Sequence, residues 1–326
     1  MLQILLVTFP FFALVLAGYV AARRGMLPLE AVTGLNSYVL FFALPCMLYR
    51  FGATTPLAEL FDPAVFVTYL VCALSMVALT VAVSRNRRIG WNDAAFGALV
   101  AAFPNTGFMG VPLLVLLLGQ RAAGPTILTI CLDMVITSSL CIALSRLHDA
   151  GQAPDTASSV RLAFNNAIKG VAKNPLPWAI LLGATASGFR LELPVPLAKT
   201  MGLLADSASP VALFTIGAVL ARSQIMAARG KHAPILLRDY VPIAFMKLLL
   251  HPLLVLLVGV TAIHLGLPLD RFALKVLVLV AALPSASNVS LLAERFGADT
   301  GRIARIILVS TAAAFVTFSM AVTLLA

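Results

Sequence analysis

Ala101-Ala102-Phe103-Pro104-Asn105-Thr106-Gly107 and Ala281-Ala282-Leu283-Pro284-Ser285-Ala286-Ser287-Asn288 decide how this chain is read. Both lie in the middle of long apolar runs, and their first four residues repeat each other. Each proline is followed at once by small polar residues. Proline inside a helix removes a hydrogen bond and clashes with the preceding turn. Polar backbone at membrane depth is tolerated only where protein or a wet cavity receives it. Two such interruptions in matching positions are the mark of a transporter built from two related halves.

The composition agrees. The chain has 326 residues, of which 61% are hydrophobic and 11% charged, with a mean hydropathy of +1.01. Soluble domains carry about 25% charged residues. A soluble fold is excluded, and an all-α polytopic membrane protein is expected. At about 20 residues per span, ten transmembrane helices are expected at 2–22, 34–51, 64–84, 94–119, 122–145, 174–189, 196–221, 237–265, 270–293 and 302–325. Little is left for an extramembrane domain. Phe9-Pro10 interrupts the first run, which lacks a basic leader and a cleavage site. It is read as a retained helix, not a signal peptide. Cys46, Cys72, Cys131 and Cys141 fall inside apolar runs without metal-ligand spacing.

The net charge of +10 is a topology signal. Of the 23 Lys and Arg residues, Arg121, Arg190, Lys199, Arg271 and Lys275 fall on one side of the expected spans. Arg50 lies at a span end, where its stem would snorkel, and Lys247 lies within a span. All the others fall on the opposite side. The positive-inside rule then puts both termini outside and the basic loops in the cytoplasm, as in a multi-pass protein of a bacterial inner membrane. No basic patch with interleaved aromatics points to nucleic acid.

The longest polar connection, 147–173, divides the chain into 1–146 and 174–326, with five expected spans each. An odd number per half makes the second half enter the membrane with opposite polarity. A second match supports the duplication. Ala43-Leu44-Pro45-Cys46-Met47-Leu48-Tyr49-Arg50-Phe51-Gly52 in span 2 aligns with Ala208-Ser209-Pro210-Val211-Ala212-Leu213-Phe214-Thr215-Ile216-Gly217 in span 7. Both matches sit at equivalent ordinal positions, so two inverted five-helix repeats are expected, with broken helices 4 and 9.

Several of these stretches resemble the auxin efflux carrier family. They are Leu35-Asn36-Ser37-Tyr38 through Phe42-Ala43-Leu44-Pro45, Pro104 through Leu113, Asn174-Pro175-Leu176, Ser209 through Phe214, Lys247 through Pro252, and Leu283 through Asn288. The resemblance covers essentially the whole chain. It implies a ten-helix fold with helices 4 and 9 crossing near mid-membrane, shared more distantly with bile-acid sodium symporters. It also implies a scaffold of spans 1, 2, 6 and 7, a mobile unit of spans 3–5 and 8–10, and a homodimer through the scaffold. Bacterial relatives are often assigned to malonate or similar organic acids.

The crossover residues themselves define the chemistry. Helical segments that begin after each break direct N-terminal amides, each end equivalent to roughly half a positive charge, toward the break. Such ends suit a carboxylate without an arginine. The candidate substrate-binding residues are Pro104, Asn105, Thr106, Gly107, Pro284, Ser285, Ser287 and Asn288. Asn105 and Asn288 either contact the substrate carboxylate or cap the half-helices. Asp133, Asp206 and Lys247 are intramembrane ionisable residues and candidates for coupling or gating. Asp133 is either a titrating coupling group or a static partner of Lys247. Lys247 and His251, four residues apart, share a helix face.

The expected function is secondary transport of a small organic anion, such as malonate or another carboxylate. The alternative is a sodium-coupled organic-anion symporter of the bile-acid type. No phosphate-binding loop, metal cluster or paired nucleophile and base is found, so no cofactor and no enzymatic activity are expected.

Overall fold

A computed structural model describes residues 2–54, 62–86, 88–146, 175–229 and 236–325. The connection 147–173, with Arg161, Lys169 and Lys173 of the charge count, lies outside the described residues, as do Arg87, Lys231 and Asn174.

Among the described residues the regular elements are helices. They are α1 (Leu2–Arg23), α2 (Ala31–Thr54), α3 (Pro63–Ser84), α4 (Trp91–Ala102), α5 (Thr106–Leu118) and α6 (Gln120–Ser145). These are followed by α7 (Pro175–Gly188), α8 (Val195–Arg229), α9 (Leu237–His264), α10 (Arg271–Ala282), α11 (Val289–Arg295) and α12 (Thr300–Leu325). Six of these stretches are long and apolar enough to cross a membrane: α2, α3, α6, Val195–Met226 of α8, α9 and α12. The chain is an integral, multi-pass membrane protein. The apolar run expected at 94–119 is two helices, α4 and α5, because Phe103-Pro104-Asn105 leaves the helix between them. The run at 270–293 is likewise divided into α10 and α11.

Four helices contain a π-helical turn: Val39–Ala43, Thr106–Gly110, Asp133–Thr137 and Met246–Leu250. Three of them end two residues before a proline, at Pro45, Pro112 and Pro252. A wider turn there moves aside the carbonyl that a proline ring would strike, so the helix passes through. The fourth has no proline. Its Asp133 carbonyl accepts both the Ser138 N–H and, at 2.8 Å, the Ser138 Oγ hydroxyl.

The contacts sort the helices into two compact units. The first comprises the described residues of Met1–Pro63, Thr106–Leu128 and Asn174–Lys231. Here α1 lies along α8, with Gly18 against the Phe214 carbonyl and Gly217 against Val15. Likewise α7 lies against α2 where Gly183 meets Gly52. Small residues let backbones approach closely, which is how helices associate where lipid removes the hydrophobic drive. Tyr38 Oη and Ser207 Oγ are 2.7 Å apart, and Tyr19 donates to Gln224 Oε1 at 2.6 Å.

The second unit comprises the described residues of Ala64–Asn105, Thr129–Lys173 and His232–Ala326. Its centre is made of α4, buried from Ala94 through Ala102, and α10, buried from Val276 through Ala282. A helix that is apolar and buried all round belongs to a core. Each unit therefore draws on both halves of the sequence. The helices of expected spans 1, 2, 6 and 7 fall in the first unit, but α5 and the start of α6 join them. The chain changes unit between Asn105 and Thr106, at the break itself. Beyond it, Gly107 has the Leu44 side chain as its neighbour.

Candidate functional site

The two breaks are built alike. Phe103 closes α4 in an extended conformation (φ −96°, ψ 102°), and Leu283 closes α10 with φ −62° and ψ 154°. Each precedes a proline, whose ring drives the residue before it out of the helical region. The extended segments then pair. Pro104 and Ser285 face each other in an antiparallel bridge. Asn105 N–H donates to Pro284 O at 2.8 Å, and Ala286 N–H donates to Phe103 O at 3.0 Å. Backbone groups released by the prolines satisfy one another, as the low-dielectric interior requires.

Two side chains complete the arrangement. Ser310 Oγ on α12 accepts from Ser285 N–H at 3.2 Å. Lys247 Nζ on α9 donates to Ala281 O at 2.7 Å. That carbonyl belongs to the last turn of α10, where a helix concentrates negative charge and favours a cation.

Pro104, Pro284, Asn105, Ser285 and Ser287 are buried in this unit, and Asn288 is half-buried. Ser285 Oγ and Asn288 Oδ1 are buried without a hydrogen-bond partner. Asn288 precedes α11, but its side chain makes no capping hydrogen bond. Of the two roles weighed for Asn288, capping is the one this geometry lacks. Thr106 and Gly107 begin α5, in the first unit.

Asp133 is fully buried on α6. Its Oδ2 accepts from Tyr69 Oη at 2.8 Å and its Oδ1 from Thr137 Oγ1 at 2.9 Å. Lys247 turns instead to His251 Nδ1, 3.1 Å away, and to Ala281 O. No direct ion pair joins Asp133 and Lys247 among the described residues; the Tyr69 and His251 rings lie side by side, with centroids 6.2 Å apart. His251 Nε2 and Thr68 Oγ1 are buried without partners. Among the described residues, two hydrogen-bonded clusters, Thr137–Asp133–Tyr69 and His251–Lys247–Ala281 O, thus meet only through the Tyr69 and His251 rings. Asp206 stands apart, in the first unit, in an exposed 2.7 Å ion pair with Arg50. Arg50, at the end of its expected span, thus has an acidic neighbour on α8.

Sequence reading missed Tyr69, Ser310 and the bond from Lys247 to Ala281. Each is a lone polar group in an apolar helix whose partner lies far away in sequence.

Discontinuous helices that meet at their breaks recur in membrane transporters. The model of the family described as Membrane transport protein matches residues 4–322, and the chain belongs to this family, that of the auxin efflux carriers. It is 31% identical over 307 residues to the "Putative malonate transporter" of Rhizobium meliloti (strain 1021), covering 93% of this chain and 89% of that protein. It is 27% identical over 301 residues to "Uncharacterized transporter YfdV" of Escherichia coli (strain K12), covering 89% and 88%. A stretch of 138 residues, 40% of this chain, is 30% identical to Auxin efflux carrier component 1 of Arabidopsis thaliana and covers 22% of it. The chain is a membrane transporter and not an enzyme.

Proposed function

We propose that this transporter moves a small organic anion, malonate or a similar carboxylate, by secondary transport with elevator-type alternating access. The observation that carries the proposal is the paired break itself. It gathers buried Asn105, Ser285 and Ser287 with half-buried Asn288 beside backbone that has left the helix. Asn105 and Asn288 bind the carboxylate through their amides, Ser285 and Ser287 supply hydroxyls, and Pro104 and Pro284 hold the backbone open. Thr106 and Gly107 belong to the same substrate-binding set. The likeness to a relative whose name mentions malonate supports the substrate class.

The same proposal includes ten transmembrane helices as two inverted five-helix repeats, 1–146 and 174–326, with 147–173 joining them in the cytoplasm. Both termini are outside, the membrane is a bacterial inner membrane, and the protein is a homodimer. Buried Asp133 and Lys247 couple transport to an ion, and the Asp206–Arg50 pair gates it.

Counterflow in proteoliposomes tests the central claim, with malonate, other dicarboxylates and indole-acetate as substrates. Exchange of at least one anion is expected. Asn105→Ala and Asn288→Ala should each raise the half-saturation concentration by about tenfold while leaving the fold intact. Failure of every organic anion to exchange overturns the proposal.

One observation favours a second reading. Ser285 Oγ and Asn288 Oδ1 are oxygens in search of a partner, and oxygens are the ligands of hard cations. A sodium-coupled symporter of the bile-acid type would use them. Exchange that is indifferent to sodium discards it.

A further inference from the structure

Lys247 and His251 are both fully buried, one turn apart on α9 in the second unit. Lys247 Nζ stands 3.1 Å from His251 Nδ1 and donates to Ala281 O at 2.7 Å. Two bases thus meet at hydrogen-bond distance away from water. Two cations at that separation would repel strongly in a low-dielectric interior, and each would need its own compensating charge. The pair therefore holds one positive charge or none.

The geometry supplies both forms. In the neutral pair the ring proton sits on Nδ1 and is donated to the lone pair of Nζ, leaving Nε2 bare. A proton passed from a water to Nε2 lets the Nδ1 proton move to Nζ and gives the ammonium; the reverse sequence returns it. Nε2 is buried without a hydrogen-bond partner, so nothing in its surroundings competes for that exchange.

A fixed counter-charge stands beside the pair. Asp133 on α6 acts electrostatically on Lys247, across the Tyr69 and His251 rings. Each of its carboxylate oxygens accepts from a hydroxyl, Tyr69 Oη or Thr137 Oγ1. That arrangement suits the ionised form, because an added proton would face a donor. The thiols of Cys72 on α3 and Cys141 on α6 interact with Tyr69 and Asp133 in turn. Helices α4, α10 and α12 also pack against Met246–Leu250. Their ionisable residues, Asp93, Arg271, Lys275, Arg302 and Arg305, lie near the starts of those helices. Arg238, Asp239, Tyr240 and His264 lie near the ends of α9. The charge that can change is therefore the one on the pair.

That charge is wired to the crossover. Ala281 O lies in the last turn of α10, and Ser285 follows four residues later. A cation there favours an anion at Ser285, Ser287 and Asn288, and by linkage a bound anion strengthens the pair's hold on its proton. We infer that the coupling ion is a proton, carried on the Lys247–His251 pair in the same direction as the organic anion; this rests on the anion-transport reading of the crossover.

The test uses the full-length protein in proteoliposomes, in sodium-free medium with the membrane potential clamped by potassium and valinomycin. The carboxylates of the counterflow panel, malonate first, are the probes. Protein-free liposomes subtract passive crossing of the protonated acid. An acidic exterior should drive the anion above its equilibrium level, and a trapped pH dye should report acidification of the lumen during uptake. The half-saturation concentration should rise by up to about tenfold per pH unit between about pH 7 and 9, where the substrate carboxylates are ionised. Lys247→Gln keeps a donor for Ala281 O but takes up no proton. It should lose the accumulation, and any exchange it retains should lose its pH dependence. His251→Asn, which keeps an acceptor for Lys247, supplies the readout should that variant fail to fold, and should displace the pH profile. Lys275→Gln, near the start of α10, should behave like the wild type. Exchange that ignores pH, accumulation that requires sodium, or a pair variant with the wild-type profile overturns this inference and leaves the anion reading standing. Failure of every carboxylate to exchange overturns both.

Discussion

Lys247 Nζ donates a 2.7 Å hydrogen bond to the carbonyl oxygen of Ala281, thirty-four residues away. The bond lies in the last helical turn before Leu283-Pro284. Without a partner, this carbonyl would be left exposed in a region with little water. Lys247→Met should therefore lower stability by about 2 kcal/mol, since it strands both Ala281 O and His251 Nδ1. Thermal unfolding in detergent measures it. An unchanged or higher midpoint would show that relief of a buried charge outweighs the lost bond.

Ser310 and Ser285 should respond in opposite ways. Ser310 Oγ is the acceptor for Ser285 N–H, so Ser310→Ala leaves a buried donor unpaired and should lose about 1–3 kcal/mol. Ser285 Oγ has no partner, so Ser285→Ala should be neutral or stabilising and should nevertheless impair transport. Unfolding midpoints paired with counterflow rates separate the two.

Tyr69 and Asp133 should be energetically coupled. A buried hydrogen bond to a charged group is worth about 1.5–3 kcal/mol. Tyr69→Phe should therefore be markedly less damaging in an Asp133→Asn background than in the wild type. A double-mutant cycle reads the coupling directly; additive losses would show that the 2.8 Å contact carries none.

Close helix contacts make a further prediction. A Cβ at Gly217 would run into the Val15 carbonyl, and one at Gly183 into the Tyr49 carbonyl. Both obstacles are backbone and cannot swing away. Gly217→Val and Gly183→Val should each cost about 3 kcal/mol or more, visible as a loss of monodisperse protein on size-exclusion chromatography. At Gly34, where no atom lies within 4 Å of the added Cβ, substitution by alanine should be tolerated.

Much of the architecture was legible because hydropathy and proline are strong local signals. Pro104 and Pro284 announce where two helices stop, and the structure stops them there, at Ala102 and Ala282. The ionisable residues were legible too, since a charge in an apolar run stands out. Their partners were not. Lys247 and Asp133 read as potential mates because they are the nearest opposite charges in kind, yet a tyrosine and a carbonyl hold them instead. Nothing in an apolar sequence says which helix lies beside which. The break at Pro104 was legible, but for the same reason it did not show that packing assigns the two parts of that 26-residue run, α4 and α5, to different compact units.

The pairing of Pro104 with Ser285 has a consequence for biogenesis. The second compact unit is assembled from three separate stretches, the last of which extends to α12. Chains are made and inserted from the N-terminus, so α4 enters the bilayer with its broken end unmatched until residues 284–286 have been synthesised. Through that interval, Phe103 O and Asn105 N–H must find temporary partners in the translocation machinery or in headgroup water. Ribosome-bound intermediates arrested before residue 284 should thus be the ones most dependent on an insertase, and extension past α12, which brings Ser310, should release that dependence.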